Sequence, residues 1–369
     1  MEKVILDAAA TTKPKQEVVD YAIEIMKNYW QNPNSIYDSG LAARSIIDNA
    51  RQIVADKINA EPNEIIFCPS ASAANSLAIL GYLRKNRVEK FITSNIEHSS
   101  ILDIKMPFYV KRDLIKCDDK GIIDSSLLKK YKNSLVSIIG ANNEIGTVQN
   151  LCELSKVAHK NGCVFHSDLT QYIPHFSVDV KAMGLDMATF SAHKLGGLRG
   201  CAVLYVKDGI DLEPLVYGHQ EDGLMAGTEN VVAIAAMGKA MELLNYSNWR
   251  KIISLRDYLI WRLFEIDPKV TINGDLFNRL PNNVNVCIHN MSIDIQQLIS
   301  CLELGGFEVS AGSACNAGAN TPSHVLRAIG LSDDNANKSI RITIGDEITK
   351  QDVDDFVCCL KNILDMYTS

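Results

Sequence analysis

Between Glu64 and Val206 short apolar runs rich in Val, Ile and Phe alternate with segments of helical periodicity. No other feature constrains the fold of this chain as strongly. Glu64-Ile65-Ile66-Phe67-Cys68 reads as a strand, and Ser72 to Leu83 as a helix entered through a turn of small residues. Phe91-Ile92-Thr93 and Leu135 to Ile139 read as further buried strands. Leu151 to Lys160 reads as a helix stopped by Asn161-Gly162. Cys163 to His166 is a strand running into Asp168, and Met187 to Phe190 and Cys201 to Val206 are two more. Strands that alternate with helices predict an α/β fold with a mostly parallel sheet covered on both faces.

The rhythm changes near Trp249. A long amphipathic helix, Trp249 to Ile266, leads into strands at Val270 to Ile272 and Asn283 to Ile288, a helix at Ile295 to Leu304, a strand at Ser339 to Ile344 and a helix from Lys350. This is the pattern of a smaller α+β domain. A chain of 369 residues suits two domains of roughly 100–250 residues each. The expected division is a large domain over 15–248 and a small one built from 1–14 and 249–369, the first dozen residues packing beside the C-terminal part.

The N-terminus lacks the basic start and apolar run of a signal peptide, and the longest apolar stretches, such as Val231 to Met237, are far too short to span a bilayer. A cytoplasmic protein with no membrane partner is expected. A formal net charge of -7 argues against direct nucleic-acid binding. The ten cysteines are scattered, with no Cys-x-x-Cys pair and no zinc-type grouping, so neither a disulfide framework nor a metal site is expected.

Several short motifs have chemical potential, each with an ordinary alternative. Ser191-Ala192-His193-Lys194 follows a strand, where Lys194 suits a Schiff base with a carbonyl cofactor or is simply a surface lysine. Asp168 at a strand end can pair with a protonated pyridine nitrogen or cap a helix. Pro69-Ser70-Ala71-Ser72, between strand and helix, lets backbone N–H groups approach a phosphate; it is equally a common turn. Asn142 to Gly146 offers amide donors or forms a turn, and His98 stacks on a planar ring or packs. Cys315 lies in Ser310-Ala311-Gly312-Ser313-Ala314-Cys315-Asn316-Ala317-Gly318, whose side chains are too small to anchor a loop. A free cysteine is usually buried, so one in such a stretch points to a reactive thiol.

Taken in register these pieces resemble the cysteine desulfurases of the class V aminotransferase group, which share fold type I of the pyridoxal-phosphate enzymes. The resemblance runs from Leu6-Asp7-Ala8-Ala9-Ala10-Thr11-Thr12 and Asn32-Pro33-Asn34-Ser35 through Glu97-His98, Asn142 to Gly146, Asp168 to Gln171 and Ser191 to Lys194. It continues through Ala226 to Asn230, Asn273-Gly274-Asp275 and Gly312 to Cys315 to Leu326 to Gly330 and Ser339-Ile340-Arg341. It implies that Lys194 bonds pyridoxal 5'-phosphate, Asp168 holds the pyridine nitrogen, and Gln171 with Asn143 the phenolic oxygen. His98 would stack on the ring and move protons. Ala71, Ser72, Ser191 and His193 would hold the phosphate, with Thr228 reaching it from the second subunit of a homodimer. Arg341, with Asn34 and Asn143, would hold the carboxylate of L-cysteine. Cys315 would take the sulfur and pass it to an acceptor protein, an iron–sulfur scaffold or a tRNA-thiolation enzyme. Tyr37, Ala73, Ser76, Met225 and Asp346 stand where that group usually has His, Glu, Asn, Arg and Arg. Selenocysteine or cysteine lyase activity on the same scaffold, and a non-catalytic partner role, stay open as alternatives.

Overall fold

The computed structural model describes residues 3–266, 270–289, 291–312 and 322–367. Their strands are β1 (Val4–Ile5), β2 (Ile65–Cys68), β3 (Lys90–Ser94), β4 (Lys111–Ile115), β5 (Leu135–Ser137), β6 (Val164–Asp168), β7 (Met187–Ser191), β8 (Ala202–Val206), β9 (Val270–Ile272), β10 (Asn283–Ile288), β11 (Phe307–Glu308) and β12 (Ser339–Thr343). Seven of them form one sheet in the order β2-β8-β7-β6-β5-β3-β4. The pairs β3–β4, β3–β5, β5–β6 and β6–β7 are parallel. β8 runs antiparallel to both β7 and β2. The link from β7 to β8, residues 192–201, is too short for a crossover helix, so the chain returns antiparallel.

Apart from the edge strand β4, the strands of this sheet are largely buried because both faces are covered. Successive residues divide between two cores. Ile65, Phe67, Ile92, Val136, Ala188, Val203 and Tyr205 pack with the helices Gln16–Asn28, Asp38–Ile58, Leu151–Lys160 and Val231–Glu242. Ile66, Cys68, Phe91, Leu135, Met187, Ala202 and Leu204 pack on the other face, against Ala74 to Leu83. That helical segment is continuous from Ala71 to Lys85 but widens to a π turn over Leu77–Gly81. β5 ends at Ser137 rather than Ile139, since the Ile139 N–H turns away to donate to Glu97 Oε1 (2.9 Å).

A third core surrounds β10, which pairs antiparallel with β9 and β12. One face of this small sheet (Val284, Val286, Ile340, Ile342) packs on the helices Trp249–Ile266, Ile295–Leu304 and Lys350–Met366. The alternating positions Asn283, Asn285, Ser339, Arg341 and Thr343 form a polar face that is buried all the same. It lies against the turn after β5: Asn283 and Asn285 side-chain amides both donate to the Glu144 carbonyl (3.3 and 3.2 Å). Gly146 closes that turn with φ +75°, and a Cβ there would meet Asn283 Oδ1 at 2.6 Å. The N-terminus joins the same region. β1 pairs parallel with β11, and Asp7 bridges to Thr343.

Candidate active site

β2, β3, β5, β6 and β7 point the same way, so the segments that follow them gather at one sheet edge, the carboxyl edge where open α/β sheets bind ligands. A cavity of about 370 Å³ opens there. Ala71 and Ser72 come from the turn after β2, His98 from beyond β3, and Asn143 from beyond β5. Asp168 and Gln171 come from the end of β6, and Ser191, His193 and Lys194 from the end of β7. All line the cavity, with Arg341 from β12 and Ala9 and Ala10 from the N-terminal segment. A larger cleft of about 1020 Å³ beside it shares Ala10, His193 and Arg199, but Asp168, His98 and Lys194 are not among its walls.

Lys194 sits on the tight β7–β8 link, and its Nζ donates to the carbonyls of Ala9 (2.6 Å) and Ala10. Gln171 Nε2 donates to the same Ala9 carbonyl (2.9 Å). The Asp168 carboxylate is nearly inaccessible. Its Oδ1 accepts from Thr170 N–H (2.9 Å) and its Oδ2 from Asn75 Nδ2 (2.8 Å). Behind it, His166 lies between Ser137 Oγ (2.8 Å) and Thr189 Oγ1 (3.2 Å), and burial holds its imidazole below the usual range against the pull of Asp168. His193 Nδ1 is 3.2 Å from Thr11 Oγ1; burial, then Lys194 and Arg199, lower its pKa to about 4, so it is neutral near pH 7. Glu97 is pushed up to about 8, chiefly by burial, and its carboxyl hydrogen-bonds Ser94 Oγ and Ile139 N–H. A neutral Glu97 spares Asp168 a second negative charge.

Arg341 is 1% exposed. Its Nη2 holds Asp7 Oδ1 at 2.7 Å and its Nη1 the Asn143 carbonyl at 3.1 Å. Nε has no partner among the described residues. A guanidinium has five N–H donors, so capacity for a carboxylate remains after these two bonds. The backbone of Arg341 also pairs with Ser310, two residues before Gly312 (N–H to Ser310 carbonyl, 2.7 Å). Ser323, on the far side of the same segment, hydrogen-bonds Glu144 Oε2.

Asn34 is not in this cavity. Its amide donates to Glu229 Oε2 (2.9 Å) and accepts from Arg44 Nη2 (2.7 Å), so both its polar atoms are engaged in this cluster. Thr228 is exposed and does not line the cavity either. Cys315 lies outside the described residues. Conversely, Asn75, Ser100, Asp7 and Thr170 belong to the site and had no assigned role from sequence. An asparagine inside the apolar run Ala73-Ala74-Asn75-Ser76-Leu77 was the available signal for the first.

The family model for the class-V aminotransferases matches residues 4–356. The chain belongs to this family. Among its relatives, the cysteine desulfurase IscS of Dictyoglomus turgidum is 37% identical over 98% of this chain and 95% of its own length. A NifS-like protein of known structure superposes with a TM-score of 0.91 at 29% identity, covering 99% of this chain and 100% of that one. The structure of SspA in complex with cysteine superposes with a TM-score of 0.80 at 30% identity, covering 92% and 98%. The class-V family, and its cysteine desulfurases in particular, are pyridoxal-phosphate enzymes of fold type I, and this chain is one of them. The donor set fits that cofactor. The cavity offers a lysine amine, an acceptor-only carboxylate, an imidazole and a cluster of hydroxyls. Thr170 Oγ1 is buried at its wall with no partner among the described residues.

Proposed function

We propose that the protein removes sulfur from L-cysteine, releasing L-alanine and leaving the sulfur as a persulfide on Cys315 for transfer to an acceptor protein, an iron–sulfur scaffold or a tRNA-thiolation enzyme. What carries this reading is the meeting of Lys194, Asp168, His98 and Arg341 at one cavity, with Ser310 and Ser323, which flank the Cys315 segment, fastened to Arg341 and to Glu144, next to Asn143.

Pyridoxal phosphate, when bound, supplies an electron sink for charge at the substrate Cα. Asp168 would hold its ring nitrogen, Gln171 and Asn143 its phenolic oxygen. Ala71, Ser72, Ser191 and His193 would hold the phosphate, with Thr228 of a second subunit. Lys194 would anchor the cofactor and carry a proton to and from the substrate Cα. Arg341, already fixed by Asp7 and Asn143, would orient the substrate carboxylate with its remaining N–H groups. The Cys315 thiolate would attack the substrate sulfur; an S–S bond forms, the Cβ–S bond breaks, and its electron pair goes to Cβ, which takes up a proton to become the alanine methyl. The division of labour we propose places the cofactor on 15–248 and the thiol on the unit formed by 1–14 and 249–369.

A homodimer is part of this reading. Thr228 is exposed and stands outside the cavity of its own chain, and Trp30, Ile36 and Tyr37 are large apolar residues left exposed near one another in sequence. No helix among the described residues is long and apolar enough to cross a membrane, which accords with a cytoplasmic site of action. The test is to incubate the protein with L-cysteine and a reductant and to measure alanine and sulfide together. Equal amounts are expected from the wild type. Cys315→Ser should give little alanine and no protein-bound persulfide; normal release of both from that variant would point to elimination instead.

A further inference from the structure

Asp168 and His98 reach the cavity from different strands, and a chain of hydrogen bonds joins them through Asn75, which lies behind its wall. Asn75, in the helix Ala71–Ser76, is wholly buried. Its one amide nitrogen donates to Asp168 Oδ2 (2.8 Å) and to Ser100 Oγ (3.0 Å). Ser100 Oγ is in turn 2.8 Å from His98 Nδ1, and Ser100 N–H donates to the same Nδ1 at 3.1 Å.

Donor inventory fixes every direction in this chain. A carboxylate only accepts, so the Asn75 nitrogen, not its oxygen, must face Asp168. The Asn75 Oδ1 left over is buried without a partner among the described residues; turning the amide over would set it against Asp168 instead. Ser100 Oγ accepts from Asn75 and has its own proton to give to His98. Nδ1 therefore receives two donors and cannot carry a proton itself, which leaves the ring proton on Nε2.

We propose that Asn75 and Ser100 form a positioning bridge that sets the His98 tautomer, with Nε2 protonated, and holds Asp168 at the cavity wall. This rests on the reading of the cavity as the cofactor and substrate site. It makes His98 a proton donor to that site in its resting form, with Asn75 outside the cavity and Ser100 at its wall.

The tautomer is measured by ¹⁵N NMR on histidine-labelled full-length protein, with and without pyridoxal phosphate, the His98 signals being assigned from a His98→Gln spectrum. The wild type should show an unprotonated Nδ1 and a protonated Nε2. Ser100→Ala, which loses the hydroxyl but keeps the backbone N–H donor to Nδ1, should move both signals part of the way toward those of exchanging tautomers. It should also lower kcat about tenfold, with KM for L-cysteine within about twofold, as expected for one lost hydrogen bond to a working group. Ser100→Thr, which keeps the hydroxyl, should restore both. Asn75→Ala should weaken pyridoxal-phosphate binding about tenfold, through the donor that Asp168 loses. An unchanged tautomer in both Ser100→Ala and Asn75→Ala overturns the proposal, as does failure of Ser100→Thr to restore it. If no form turns over cysteine, the wild type included, the proposed activity fails while the tautomer measurement still decides the bridge.

Discussion

Glu97→Gln should flatten the pH dependence of folding between pH 6.5 and 8. Glu97 is buried beneath the cavity wall, and burial raises its carboxyl to about 8 despite the bonds from Ser94 and Ile139, with Asp168 adding repulsion. In the unfolded chain the group titrates near its ordinary value of 4.5. Between those values the native chain keeps a proton that the unfolded chain has lost, so stability falls as pH rises. Integrating from pH 6.5 to 8 gives a loss of about 1.6 kcal/mol at room temperature, by the linkage relation. The buried histidines contribute alike to wild type and variant and cancel in the comparison. His175 and His193 are held to about 4 in the folded protein, and burial depresses His166 as well. Their effect is a gain in stability as pH rises through the ordinary imidazole value of 6.5, the same in both proteins. Urea unfolding of wild type and variant at the two pH values measures the difference directly. The wild type should lose about 1.6 kcal/mol more than Glu97→Gln. Equal losses would mean that Glu97 is ionised in the folded protein, and that Asp168 shares its surroundings with a second charge.

Three more outcomes follow from the same geometry. Lys194→Ala should remove both the cofactor's visible absorbance and alanine release, and a normal spectrum with normal turnover would end that assignment. Arg341→Ala should raise KM for L-cysteine roughly tenfold or more. Because Asp7 loses its partner, the same variant should also lower Tm, and an unchanged KM would place the carboxylate contact elsewhere. Light scattering should find a dimer, and Thr228→Ala should weaken pyridoxal-phosphate binding without dissociating it; a fully active monomer at nanomolar concentration would contradict the shared site.

Elements with clear end signals were legible in the sequence. Leu151–Lys160 has Asn150 as its cap and ends at Asn161-Gly162, and Trp249–Ile266 shows an amphipathic stripe; both stand where the pattern put them. Val231–Glu242 was not recognised as a helix, because it is buried on nearly all sides and shows no stripe, packing between the two N-terminal helices with Gly238 close against Ala50. β4 was missed because Lys111-Arg112-Asp113 makes a half-polar edge strand. Within the site, residues at strand ends declared themselves, and those whose meaning depends on a distant partner did not. Asn75 acquires its role from Asp168, 93 residues away, and Arg341 is pinned by Asp7, 334 residues away. Asn34 shows the converse, a motif residue whose polar atoms turned out to be occupied by Arg44 and Glu229.

The order of synthesis meets an obstacle in the first strand. Residues 4–5 have as their partner residues 307–308, and Asp7 waits for Thr343 and Arg341. Ala9 and Ala10, which supply the carbonyls beneath Lys194, hang from this same segment. On the ribosome the seven-stranded sheet can be complete once Val206 has emerged, about a hundred residues before that partner exists. This segment, made before the sheet, is thus placed after it. Its docking is a late, long-range closure of the kind that slows folding, and cofactor capture becomes an event of the finished chain.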